Sequence, residues 1–223
     1  MKFTAHYSGS KGNLYSVESE QGATLLIDPG VNYSRLISKI DLTKVCGALV
    51  SHSHLDHCKA IPKLLERGLT CFASVPTIKA LGQRLRFESI TANKQYQIAD
   101  FTFKPFEVKH DAPGTVGFVI ADKCDKLLYV TDTPYIQPRF QNLTIIAVEC
   151  NYSDEAMAIS NPGLEVRIRN NHMGLDATVE LLRSQDLTRV REIWLLHLSD
   201  ANSHAENFIK TVQRKTGKPV YIA

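Results

Sequence analysis

An α/β chain with two packed sheets flanked by helices is the architecture this sequence predicts, and three observations predict it. Short apolar runs rich in β-branched and aromatic residues alternate with patterns of helical period. Each half of the chain opens as a series of strands and closes in helices. No Pro/Gly/Ser-rich stretch is long enough to act as an interdomain linker, so residues 1–223 are expected to form a single domain.

The elements follow in order. "KFTAHY", "LYSVES" and "ATLLID" read as strands, with "SGSKGN" a Ser/Gly turn between the first two and "DPG" closing the third. "YSRLISKI" reads as a short helix, "KVCGALVSH" as a buried strand, and "HCKAIPKLLERG" as a helix ended by its glycine. "LTCFAS" is a strand and "VPTIKALGQRLR" a helix. A second strand series follows in "YQIADFTFKPFEVKH", "TVGFVIAD", "KLLYVTD" and "TIIAVEC". The end alternates helix "GLDATVELLRSQ", strand "REIWLLHLSD", helix "AENFIKTVQRKTG" and strand "PVYIA".

Composition narrows the class. A chain of 223 residues, 43% of them hydrophobic, can bury a full core. A net charge of +3 neither argues for nucleic acid nor opposes a local basic groove. The five cysteines, Cys46, Cys58, Cys71, Cys124 and Cys150, are scattered and form no C-x-x-C pair, so buried free thiols are expected rather than a disulfide framework or a thiolate zinc site. The start has no apolar signal region, and no run approaches the ~20 apolar residues of a membrane span. A cytoplasmic protein is expected.

The chemistry concentrates in "SHSHLDHCKA", Ser51 to Ala60. If the preceding strand runs on to His54, its period of two sends His52 and His54 to one side, with Asp56 and His57 following where the chain turns into a helix. Imidazoles and a carboxylate at this spacing match the nitrogen and oxygen ligand set of zinc and similar metals. Four ligands in so short a segment cannot all serve one ion, which points to two.

H-x-H-x-D-H after a buried strand resembles the metal motif of the metallo-β-lactamase fold superfamily, whose architecture is a four-layered αββα sandwich. Further residues carry the resemblance in order: Asp28 in "LLIDPG", His110 in "VKHDAPGTVGF", Asp132 in "YVTDT" and His197 in "WLLHLSD". The resemblance implies that His52, His54 and His110 hold one metal, that Asp56, His57 and His197 hold the other, and that Asp132 bridges them. Asp28 would orient the metal-binding loop from the second shell. Two divalent ions, Zn2+ or Mn2+, sharing a hydroxide imply a hydrolase.

Which bond is cleaved turns on later residues. Asp132 stands where the best-known β-lactam hydrolases have cysteine, which sets this chain apart from antibiotic hydrolysis. Glu149 in "IAVECN" and His172 before a helix resemble the pair that nucleic-acid-processing members place near the scissile phosphate. By that similarity His172 contacts the phosphate or protonates the leaving oxygen, Glu149 orients it, and Asp56 completes the catalytic set. The interval from Asp132 to His197 is 197 − 132 = 65 residues, too short for the inserted cap of β-CASP nucleases. That from His110 to Asp132 is 132 − 110 = 22, too short for the arm of tRNA 3′-processing enzymes. The small WalJ/YycJ-type exonuclease group remains, resembled in "SGSKGN", "HDAPGTVGF", "ECN" and "HLS", and it implies a nucleic acid substrate, with DNA favoured. After "ECN" that group is expected to have His-Asp, where this chain has Tyr152 and Ser153. Arg167 and Arg169, on one side of an extended "GLEVRIRNN", offer guanidiniums for backbone phosphates; a solvated edge strand accounts for them equally. A hydrolase of small esters, lactones or thioesters is the alternative function.

Overall fold

A computed structural model describes residues 1–82, 87–157 and 162–223. The chain divides into two compact units, Met1–Glu107 with Ala112–Cys124, and Val108–Asp111 with Asp125–Ala223. Among the described residues no helix is long and apolar enough to cross a membrane.

The first unit carries a six-stranded sheet in the order β1 (Lys2–Tyr7), β2 (Leu14–Glu18), β3 (Thr24–Ile27), β4 (Val45–Leu49), β5 (Cys71–Ser74) and β6 (Glu88–Ile90). β1 to β3 are antiparallel neighbours, and β3 to β6 are parallel. Parallel inner strands are covered on both faces, which is why β3 to β5 read as near-continuous apolar runs. On one side α1 (Tyr33–Ile37) and α3 (Ile61–Glu66) bury Leu36, Ile61 and Leu64 against Leu26, Ala48 and Ala73. On the other, the antiparallel run β7 (Tyr96–Ile98), β8 (Phe101–Glu107) and β9 (Val116–Ala121) packs Phe103 edge-on to Phe72 at 5.0 Å between ring centroids.

Several expected elements change. β4 ends at Leu49, so His52 and His54 lie beyond the strand and strand periodicity does not orient them. The helix expected over 57–68 is two pieces, α2 (Leu55–Cys58) and α3, because Pro62 in the first turn of α3 has no N–H to continue a helix through Cys58. The helix expected over 75–86 is α4 (Val75–Ala80), and positions 83–86 fall outside the described residues. β6 went unread in the sequence, being three residues long with two of them exposed.

The second unit is built on parallel strands in the order β13 (Val220–Ile222), β12 (Glu192–Leu196), β11 (Ile145–Glu149) and β10 (Lys126–Val130). β10 and β11, consecutive in the chain, are therefore parallel rather than antiparallel neighbours. The connection over 131–144 is long enough to return the chain to the same end of the sheet, as a parallel pair requires. α5 (Pro162–Asn171) and α6 (Leu175–Ser184) lie between β11 and β12 in sequence, and α7 (Ala205–Thr216) ends at Gly217 in the left-handed conformation, φ 67°. Trp194 is half-buried against Tyr221.

The thiols follow the packing. Burial pushes Cys46 up to about 11 and both Cys58 and Cys71 to about 12, and it drives Cys150 upward as well, whereas Cys124 is exposed. Only thiolates attack disulfide reagents. Native protein titrated with an aromatic disulfide at pH 8 is expected to release one fast equivalent, from Cys124, and all five only in denaturant. Fast reaction of a second thiol would show that the core opens readily.

Candidate active site

In the first unit three loops interlock around the histidine cluster. Asp28 follows β3 directly and is fully buried at φ 47°, a left-handed backbone that costs a non-glycine residue ~1–3 kcal/mol and gathers at functional sites. Its Oδ1 accepts from Ser51 N at 2.7 Å, and its Oδ2 accepts from Ser51 Oγ at 2.7 Å. Oδ2 also lies 2.9 Å from His57 Nδ1. Ser51 Oγ in turn lies 2.9 Å from His52 Nδ1. One carboxylate thus ties down both ends of the loop from Ser51 to His57.

The imidazoles converge. His52 and His54 rings are 4.8 Å apart edge-on, and His52 and His57 are 4.1 Å apart. Asp56 Oδ2 is 3.4 Å from His57 Nε2. His52 and His57 are fully buried. Gly30 makes this closeness possible, because a Cβ there would sit 1.7 Å from the Asp56 carbonyl oxygen.

In the second unit the polar residues stand at or just past the carboxyl ends of the parallel strands, where α/β sheets present their ligand sites. Asp132 lies two residues past β10 at φ 50°, Glu149 is the last residue of β11, and His197 follows β12 directly at φ 53°. Glu149 is fully buried; its Oε2 accepts from the N–H groups of Thr133 and Met173, each at 3.2 Å. Its Oε1 is 2.7 Å from His172 Nδ1. His172 Nδ1 is also 3.2 Å from Asp132 Oδ1, and its ring stacks on His197 at 5.4 Å. Asp132, Glu149, His172 and His197 each offer a donor atom within 4.8 Å of the others. Burial, the largest single influence on His172, disfavours its charged form. Glu149 and then Asp132 outweigh it and raise the pKa to about 10.

His110 lies three residues past β8 (110 − 107 = 3), with Nε2 3.2 Å from Asp111 Oδ1 and its ring 6.2 Å from that of His172. Arg167 and Arg169 do not lie on an extended segment. They sit on α5, where two residues of separation turn them to different faces, and Glu165 and Arg169 form an i,i+4 pair at 2.9 Å. Arg169 is further held by Asp154 at 2.6 Å and lies over the Tyr152 ring, while Arg167 reaches Asp111 at 3.5 Å. Tyr152 pairs with Gly174 in an isolated bridge, and a Cβ on that glycine would meet the Tyr152 ring at 2.8 Å. Two residues within the motifs "ECN" and "SGSKGN" make contacts that the sequence does not assign: Asn151 donates to the His197 carbonyl at 2.8 Å, and Asn13 reaches His57.

The donor chemistry fits divalent cations, since each unit offers imidazole nitrogens and carboxylate oxygens in a tight group. A family model described as the beta-lactamase superfamily domain matches residues 23–198, and the chain belongs to that superfamily as a metal-dependent hydrolase with the metallo-β-lactamase fold. It is 22% identical over 228 residues to the Exodeoxyribonuclease YycJ of Bacillus anthracis, covering 92% of this chain and 85% of that protein. Among solved structures, the metallo-beta-lactamase fold protein YhfI from Bacillus subtilis matches with a TM-score of 0.78 at 18% identity, over 99% of this chain and 95% of that one. Igni18, a metallo hydrolase from Ignicoccus hospitalis, matches with a TM-score of 0.69 at 13% identity, over 100% and 95%.

Proposed function

We propose that this protein is a phosphodiesterase of nucleic acid, acting on DNA, with two divalent ions, zinc or manganese, held by His52, His54, Asp56, His57, His110, Asp132 and His197. The observation that carries the reading is the pair formed by buried Glu149 and His172, 2.7 Å apart beside Asp132. The similarity to an exodeoxyribonuclease supports it.

Bound at these donors, the cations supply Lewis-acid charge and lower the pKa of a coordinated water. The protein's own groups do the rest. With Nδ1 engaged by Glu149, Nε2 is the His172 nitrogen that meets the leaving oxygen. The Glu149 carboxylate, which against burial does most to raise the ring's pKa, favours its protonated form, and a protonated ring can hand a proton to an alkoxide that would otherwise leave poorly. Glu149, fixed by the Thr133 and Met173 N–H groups, holds the ring in place as the proton departs. Hydrolysis of a thioester, whose thiolate leaves readily without a proton, gives this pair no comparable task.

Metal-loaded protein assayed in parallel on end-labelled DNA, RNA, and generic lactone and thioester substrates is expected to cleave DNA fastest. Bound metal with clear lactone or thioester hydrolysis and no phosphodiester cleavage would overturn the proposal.

A further inference from the structure

The last residue of the "SGSKGN" turn between β1 and β2 is wired into the histidine cluster. Asn13 is fully buried. Its Oδ1 accepts from Gly9 N at 2.9 Å and from the Tyr15 hydroxyl at 3.0 Å. Its Nδ2 donates to the Asp56 carbonyl oxygen at 3.0 Å and lies 3.0 Å from His57 Nε2. Its backbone repeats the attachment, with Asn13 N donating to Asp56 O at 2.8 Å and Gly30 N donating to Asn13 O at 2.7 Å.

These contacts determine where the proton on His57 must be. An amide side chain can be turned end for end, but Gly9 N–H requires an oxygen opposite it and the Asp56 carbonyl requires a nitrogen, so the orientation of Asn13 is fixed by its partners. Nδ2 therefore faces His57 as a donor, and Nε2 must present its lone pair. The proton then resides on Nδ1, which donates to Asp28 Oδ2 at 2.9 Å. Asp56 Oδ2 at 3.4 Å would favour a proton on Nε2, but that distance exceeds an ordinary N–H···O bond, and the 3.0 Å amide contact outweighs it. The same accounting covers His52: Ser51 Oγ spends its one proton on Asp28, so His52 Nδ1 must donate to Ser51 Oγ, leaving Nε2 as the lone-pair nitrogen.

We propose that Asn13 is a positioning residue that sets the His57 tautomer, holding Nε2 as a lone-pair donor before a divalent cation arrives. In the metal-free protein one amide N–H takes the lone pair that the cation later takes. The bond to Asp56 O anchors the side chain throughout. A histidine locked in the ligating tautomer loses no free energy to proton rearrangement on binding. The inference rests on His57 being a metal ligand and is independent of the substrate proposed above.

Long-range 1H–15N correlation spectra of the metal-free wild-type protein are expected to show His57 as the Nδ1–H tautomer. Asn13→Asp places an oxygen against Nε2 and is expected to move that nitrogen to the protonated form, with zinc affinity in equilibrium dialysis falling by about 10- to 100-fold. Tyr15→Phe removes a hydroxyl from the same buried cluster but leaves the amide contact, so it should leave the tautomer unchanged. A wild-type His57 protonated on Nε2 would overturn the inference, as would a tautomer shifted equally by both variants. Zinc bound with the expected tautomer but no cleavage of DNA would count against the proposed function alone.

Discussion

Replacing His172 by alanine is expected to lower phosphodiester turnover by about 10²- to 10⁴-fold, the usual contribution of a positioned general acid, while the metal content stays at its wild-type value. The two halves of this result test different things. Loss of turnover follows if the ring, held at 2.7 Å by Glu149, delivers the proton to the leaving oxygen. Retained metal follows if His172 is not a ligand, although its nitrogen lies within 4.8 Å of donors on Asp132, Glu149 and His197. Elemental analysis of the variant decides between acid and ligand, and lost metal would reassign His172. A companion Glu149→Gln keeps the shape of the side chain but removes the charge that, after the opposing effect of burial, contributes most to raising the His172 pKa. Its turnover is expected to fall most steeply at the alkaline end of the pH profile. The sign follows from the chemistry: a lowered His172 pKa leaves less of the ring protonated as pH rises, and an acid must be protonated to act.

Much of this site was legible in the sequence because its signals are local. His52, His54, Asp56 and His57 fall within six residues, and Asp28, Glu149 and His197 each come at the end of an apolar run or directly after one. What stayed hidden depends on residues far away in the chain. Asn13 is 44 positions from His57, and nothing near "KGN" distinguishes an amide that bonds its own turn from one that faces an imidazole. The left-handed backbones of Asp28, Asp132 and His197 are equally unreadable, because no glycine marks them and only the surrounding packing holds them there. α5 reads as an edge strand for a different reason. Val166 and Ile168 alternate with arginines as in an edge strand, and the i,i+4 pairing of Glu165 with Arg169 that favours a helix is too weak to outvote them on the page. The break at Pro62, by contrast, is a local signal, because proline in the first turn of α3 divides the helix expected over 57–68.

The largest effect on stability is expected from Asp28→Ala. Its carboxylate accepts from Ser51 N and Ser51 Oγ and pairs with His57 Nδ1, all of them buried. Removing one member of such a buried network costs about 3–5 kcal/mol. At ~2–4 °C per kcal/mol for a chain of this size, thermal unfolding should come roughly 10 °C lower. Asp28→Asn separates folding from metal binding. Asparagine tolerates the left-handed backbone at φ 47°, and its oxygen can still accept from Ser51 N. The amide N–H groups would then face Ser51 Oγ and His57 Nδ1, both of which donate to Asp28 in the native chain. His57 would then face an amide donor on each side, the new one at Nδ1 and that of Asn13 at Nε2, so the Nδ1–H form that leaves Nε2 to the metal is no longer favoured. Asp28→Asn should therefore melt closer to the wild type than Asp28→Ala does, yet bind zinc about 10- to 100-fold more weakly. Wild-type zinc affinity in a folded Asp28→Asn protein would show that this carboxylate holds the loop but does not set the ligand.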